Sequence, residues 1–213
     1  FWLSIFLLAV GLIIGVLDTV INGGKLAFIA ILNLLGLSPV ETIATMQIVA
    51  FPQTLTASVA FARKKLITWK QTLSLAVTAT LGAMIGANLT LNIKETTLAF
   101  VSGIIMFLML SLIPEIKDKN KFAFTLRYFT RLWDKLTNKK QKMSQGWKTS
   151  AILHVAILAV SFYGGFFGAG IGVLLLVVLL KLGDADLLVT TANAKLIDVF
   201  LSLTAGLVFL IKG

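Results

Sequence analysis

Cysteine is absent from this chain and histidine occurs once, at His154. The first absence excludes disulfides, thiolate catalysis and Cys-ligated metal, and the second argues against a metal or haem site built from histidines. Charge is scarce as well. Only 13% of the residues are Asp, Glu, Lys or Arg against 58% hydrophobic, with a mean hydropathy of +0.96, a balance that excludes a soluble globular domain. Also missing are a phosphate-binding loop, a nucleophile elbow, paired carboxylates and metal-ligand spacing. No enzyme activity, metal or cofactor is therefore expected.

What remains is an all-α integral membrane protein. With 213 residues and about 20 apolar residues per crossing, it has room for at most seven or eight spans and none for a separate soluble domain. Apolar segments fall near 1–17, 25–36, 40–62, 70–90, 96–113, 149–167, 171–182 and 187–211. The first lacks a basic n-region and precedes further membrane segments, so it reads as a span and not as a cleaved signal peptide. Phe1 in place of an initiator Met suggests that the chain has been trimmed. The segments 25–36 and 171–182 are too short to cross alone, because a helix of about 12 residues covers about 18 Å of a hydrocarbon core of about 30 Å.

These two short segments reveal a repeat. Each follows a glycine cluster, "NGGK" at 22–25 and "GFFGAGIG" at 165–172, and each ends in "LG". Each leads into a longer helix opening with a small-polar run, "VETIATMQIV" or "LLVTTANAKLI", so that Gly36 matches Gly183 at an offset of 147 residues. Basic residues concentrate in "RKKLITWK" (63–70) and in 114–148, which the positive-inside rule places in the cytoplasm. The positions matching 63–65 in the second copy fall near Lys212, on the opposite side. The expected organisation is thus an N-terminal repeat (1–113), a basic cytoplasmic loop (114–148) and an inverted, incomplete C-terminal repeat (149–213), as in many secondary transporters.

Glycine clusters in apolar segments have two explanations. They break helices near the membrane midplane around a central site, where N–H groups at a half-helix N-terminus bind an anion. Alternatively they let helices pack closely. The coincidence of two clusters, each before a half-length helix, favours breaks.

The stretches "GVLDTVINGGKLAFIAILNLLGLSPVETIATMQ", "SVAFARKKLITWK" and "YGGFFGAGIGVLLLVVLLKLGDADLLVTTANAKLIDVFLSLTAGLVFLIKG" resemble the TauE/SafE-type family of sulfite exporters and related organic-anion carriers. The resemblance implies two inverted halves and movement of small sulfur- or carbon-containing anions, in either direction, without ATP hydrolysis. Three positions depart from the family pattern. Lys25 stands where glycine is usual, Gln47 where lysine is usual, and Asp198 where asparagine is common, while Lys195 keeps the lysine of the second half. The chain also stops at Gly213, before a final pair of helices that the family would have.

The solute site is expected where the two broken segments meet, lined by Asp18, Asn22, Gly23, Gly24, Lys25, Thr45, Gln47, Gly168, Gly170, Gly172, Thr191, Asn193, Lys195 and Asp198. Lys195 and Asp198, spaced i, i+3, are expected to pair on one helix face, with Lys195 as the solute's counter-charge and Asp198 as proton acceptor or charge balancer. The pair serves equally well as a buried structural pair. Asp18 is placed to pair with Lys25 across the first break, because a lysine at a helix N-terminus opposes the macrodipole. Thr45, Gln47, Thr191 and Asn193 offer hydrogen bonds to oxyanions or serve as helix–helix glue. His154 reads as an interfacial or packing residue, Pro52 as a kink, and Gln53 as a side chain able to satisfy a freed carbonyl.

Between residues 119 and 142, Phe122, Leu126, Phe129, Trp133 and Leu136 recur at helical spacing opposite Arg127, Arg131 and Lys135. This predicts an interfacial helix on anionic lipid headgroups and accounts for much of the net charge of +10. Nucleic acid is not an expected partner. The functional expectation is a secondary carrier of a small anion, alone or as a homo-oligomer; the alternative is a degenerate carrier fold that serves as a structural or assembly subunit of a larger membrane complex.

Overall fold

A computed structural model of the chain describes residues 24–111, 151–183 and 187–212, together with Gly11 and Gly15. Within those residues every regular element is a helix. They are α1 (Gly24–Leu34), α2 (Pro39–Arg63), α3 (Trp69–Asn92), α4 (Glu95–Ser111), α5 (Ala151–Phe166), α6 (Ile171–Gly183) and α7 (Leu187–Lys212). Each matches an apolar segment of the sequence to within a few residues. The expected first span, apart from Gly11 and Gly15, and the expected interfacial helix at 119–142 lie outside the described residues.

Helices α2, α3 and α7 are long and apolar enough to cross a bilayer. At about 1.5 Å per residue, α1 and α6 reach little more than half of the hydrocarbon thickness. The turns between helices follow from local chemistry. Gly36, with φ of +87°, ends the first short helix. Ser38 then caps α2 through a capping box, its hydroxyl accepting from the Glu41 amide at 3.3 Å while Glu41 Oε2 accepts from the Ser38 amide at 2.8 Å, with Pro39 pre-set for the first turn. Thr42 Oγ1 donates to Asn33 Oδ1 at 2.8 Å and ties the end of α1 to the start of α2. Helix α2 continues through Pro52, and Gln53 donates from Nε2 to the carbonyl of Gly15 at 3.1 Å, so the satisfied carbonyl lies on another segment.

The most extensive packing joins α3 to α5, followed by α2 to α7 and α3 to α7. The α3–α5 crossing is made by small residues whose backbones touch. A Cβ at Gly86 would strike the carbonyl of Phe162, and one at Gly165 would strike the carbonyl of Ala83. Ala79, Ala83 and Ala87 are fully buried along the same stripe. His154 supports this crossing, with Nε2 3.0 Å from Ser74 Oγ, in keeping with a packing role. Helix α7 lies at the centre, its Ala194, Ile197 and Leu201 joining Ile171, Leu175 and Leu179 of α6 in one apolar cluster. Large apolar side chains such as Val77, Ile85, Val155 and Leu210 face outward, as lipid-facing positions of a membrane protein do.

Candidate functional site

Helix α5 stops at Phe166 and α6 starts at Ile171, with Gly168 and Gly170 between them at φ of +77° and +73°. Only glycine enters that region without strain, so these two residues make the break. Gly164 and Gly165 do the other job, close packing: a Cβ at Gly164 would meet Ile171 and Leu201 at 2.7 and 2.8 Å, and Gly165 sits against α3. Close packing thus accounts for Gly164 and Gly165, and the turn between α5 and α6 for Gly168 and Gly170. Gly172 is buried in the first turn of α6.

The break leaves carbonyls without helical donors, and side chains from α2, α3 and α5 itself supply them. Gln47 Nε2 of α2 donates to Gly164 O at 2.7 Å, Thr90 Oγ1 of α3 to Phe166 O at 2.7 Å, and Tyr163 Oη to Ala169 O at 2.8 Å. The Gln47 amide lies on Gly168, where a Cβ would come within 2.8 Å of its nitrogen. Because the Gly164 carbonyl only accepts, the amide orientation is fixed, and the fully buried Oε1 has no hydrogen-bond partner among the described residues.

A buried ion pair joins the first short helix to α7. Lys25 Nζ, in the first turn of α1, lies 2.9 Å from Asp198 Oδ2 and 3.1 Å from Oδ1, with the two side chains only 5% and 1% exposed. Ser202 Oγ adds a donor to Asp198 Oδ1 at 3.2 Å. Asp198 was expected to pair with Lys195 on its own helix; the carboxylate instead meets an ammonium 173 positions away in sequence. The reason is tertiary packing, which brings α1 against α7 and which spacing along one helix does not report. Lys195 is 2% exposed one turn earlier on the same face of α7.

The remaining expected residues divide. Asn193 is committed to structure: its Oδ1 accepts from the Thr68 amide at 2.9 Å, Thr68 Oγ1 at 3.2 Å and Thr72 Oγ1 at 2.5 Å, and its Nδ2 donates to Val189 O at 2.6 Å. It caps the start of α3, where Thr68 gives no side-chain cap of its own. Thr191 is half-buried and donates back to Leu187 O at 2.8 Å, and Thr45 is half-buried on α2. Gly24 opens α1. Asp18, Asn22 and Gly23 lie outside the described residues. Thr90, Tyr163 and Ser202 were not anticipated, since a single Thr, Tyr or Ser in an apolar helix carries no positional signal. No group of three His, Cys, Asp or Glu able to hold a metal occurs among the described residues.

Comparison with known proteins gives a consistent result. The sulfite exporter TauE/SafE family model matches residues 7–213. A probable membrane transporter protein of Escherichia coli K12, YfcA, is 26% identical over 211 residues, covering 96% of this chain and 69% of its own. One from Haemophilus influenzae is 26% identical over 207 residues, covering 97% and 74%. A third, ORF9 from Sinorhizobium, is 23% identical over 222 residues. No solved structure matches.

Proposed function

We propose, from the premise that this chain belongs to the sulfite exporter TauE/SafE family of membrane transporters, that it is a secondary carrier of small anions such as sulfite, sulfonates or related organic anions. The observation that carries this reading is the buried pairing of Lys25 with Asp198, with Lys195 one turn away on the same helix face. Ionisable side chains inside a membrane are costly and mark solute pathways. Here they gather at the N-terminus of a short helix, where backbone N–H groups and the dipole favour an anion.

In this reading α1–α2 and α6–α7 are the matching elements of two inverted repeats. The short helices α1 and α6 then point their N-termini toward the membrane midplane, and the basic segments 63–70 and 114–148 face the cytoplasm. Lys25 and Lys195 supply positive charge, the glycine break lets backbone approach the solute, and Gln47 and Asn193 hold the walls.

The test is uptake of sulfite and a panel of small organic anions into proteoliposomes. Saturable uptake that is lost in Lys195→Ala at unchanged abundance and fold is the expected result. Equal uptake in that variant removes Lys195 from the site. No uptake by folded protein, joined to co-purification with other membrane proteins at fixed stoichiometry, replaces the carrier with a structural subunit.

A further inference from the structure

Three buried side-chain atoms meet no hydrogen-bond partner among the described residues: Gln47 Oε1, Ser58 Oγ and Ser161 Oγ. The serine hydroxyls can turn toward a carbonyl of their own helix, whereas an amide oxygen accepts only and must have a donor brought to it. Gln47 is fully buried, and its Nε2 is committed to Gly164 O at 2.7 Å, so the carboxamide cannot flip to relieve its oxygen.

The amide sits beside the start of α6. Ile171, the first residue of that helix, folds back on Gly164, the glycine whose carbonyl holds the amide, and the amide itself lies on Gly168. The backbone N–H groups of Ala169, Gly170, Ile171 and Gly172 have no acceptor among the described residues, the first bonds of α6 being those of Val173 and Leu174 to Gly170 O. All four residues are buried. A row of donors and a single acceptor thus occur within one break of the chain and do not satisfy each other.

Resting on the carrier reading, we infer that this break seats the solute's oxyanion group and that the solute carries a hydrogen-bond donor of its own. Its oxygens accept from the N–H groups at the start of α6, while its hydroxyl or acidic proton donates to Gln47 Oε1. The chemistry of the oxygen requires the second half. Bare oxyanion oxygens are acceptors and repel a buried amide oxygen, and a donor on the solute turns that repulsion into a hydrogen bond. The class is small hydroxylated sulfonates and hydroxy acids, and hydrogen sulfite in place of fully ionised sulfite. An anion without a donor leaves Oε1 unmatched, which is the condition under which a polar site rejects the analogue lacking a hydroxyl. Met46 borders the break: its methyl lies on Gly168, and its side chain also lines a small cavity with Lys25, Phe28 and Gln53. An unbranched thioether is a side chain that can turn aside for a solute.

The experiment uses a matched pair, isethionate and ethanesulfonate, which differ by one hydroxyl, with sulfite as reference. Uptake by the full-length protein in proteoliposomes and thermal stabilisation in detergent are both measured. Isethionate is expected to half-saturate at a concentration at least about tenfold lower than ethanesulfonate. Gln47→Lys keeps a donor for Gly164 O and removes the acceptor, and the preference is expected to disappear in it. Equal half-saturation for the pair in the unaltered protein overturns the inference while the carrier reading stands, as does a preference that survives Gln47→Lys. Uptake of sulfite with neither sulfonate taken up nor stabilising overturns it as well. Neither uptake of nor stabilisation by any of the three overturns both readings. The comparison within the unaltered protein needs no variant, so it decides the matter even where Gln47→Lys fails to fold.

Discussion

The α3–α5 crossing and the contact of α1 with α7 hold the molecule together by opposite means. In the first, glycines and alanines bring two backbones into direct contact and no charge takes part. In the second, two full charges meet across 173 residues of sequence in a site closed to solvent. A crossing of the first kind has one fit and tolerates nothing larger. A contact of the second kind is held by charge, and its cost shows when one ion is removed. The difference separates a seam fixed by shape from a contact fixed by charge.

Substitutions at the seam are expected to have the largest effect. Gly86→Leu and Gly165→Leu push a side chain into the carbonyl of Phe162 or Ala83, and no folded protein should be recovered by size exclusion in detergent. Next comes Lys25→Met, which strands the Asp198 charge. Breaking a buried pair in this way costs about 3–5 kcal/mol, to be read as a lowered thermal midpoint that the second change Asp198→Asn largely recovers. Recovery of that kind does not occur at the seam. Asn193→Ala removes the acceptor of the Thr68 amide and the Thr72 hydroxyl, and a loss of about 2–3 kcal/mol is expected in the same assay. Gly168→Ala ranks last, at about 1–2 kcal/mol for the left-handed backbone, because its Cβ meets the flexible end of Met46 as well as the Gln47 amide. A Gly168→Ala protein as damaged as Gly165→Leu would erase the distinction between seam and break.

Much of the helical layout was legible because apolar length and punctuation fix it. The "LG" at 35–36 reads as the close of the short segment, and Gly36 closes α1 at φ of +87°, whereas the Ser38 cap and the Pro39 first turn of α2 were not singled out. The positive-φ pair at Gly168 and Gly170 falls inside the glycine cluster that the sequence singled out. The partner of Asp198 was not legible. Helical periodicity ranks neighbours on one helix and says nothing about a lysine on a distant one, so Lys195 looked like the natural partner. Asn193 was left open between hydrogen bonds to an oxyanion and glue between helices, and its partners Thr68 and Thr72 became visible only once α7 lay beside the start of α3. Gln47 fell between the two: the sequence marked it as unusual, and the carbonyl it satisfies became visible only when α2 and α5 were placed side by side.

That carbonyl has a consequence for how the protein is made. The break after α5 relies on Gln47 and Thr90, which belong to helices synthesised long before it. A polypeptide emerging into the bilayer in order meets those donors already in place, so the interrupted hairpin never has to wait in lipid with bare backbone groups. The same hairpin produced first, or by itself, would have no such reception. Permuting the gene so that residues 151–212 lead is therefore a change of timing alone, yet it asks the membrane to shelter a structure whose supports have not arrived.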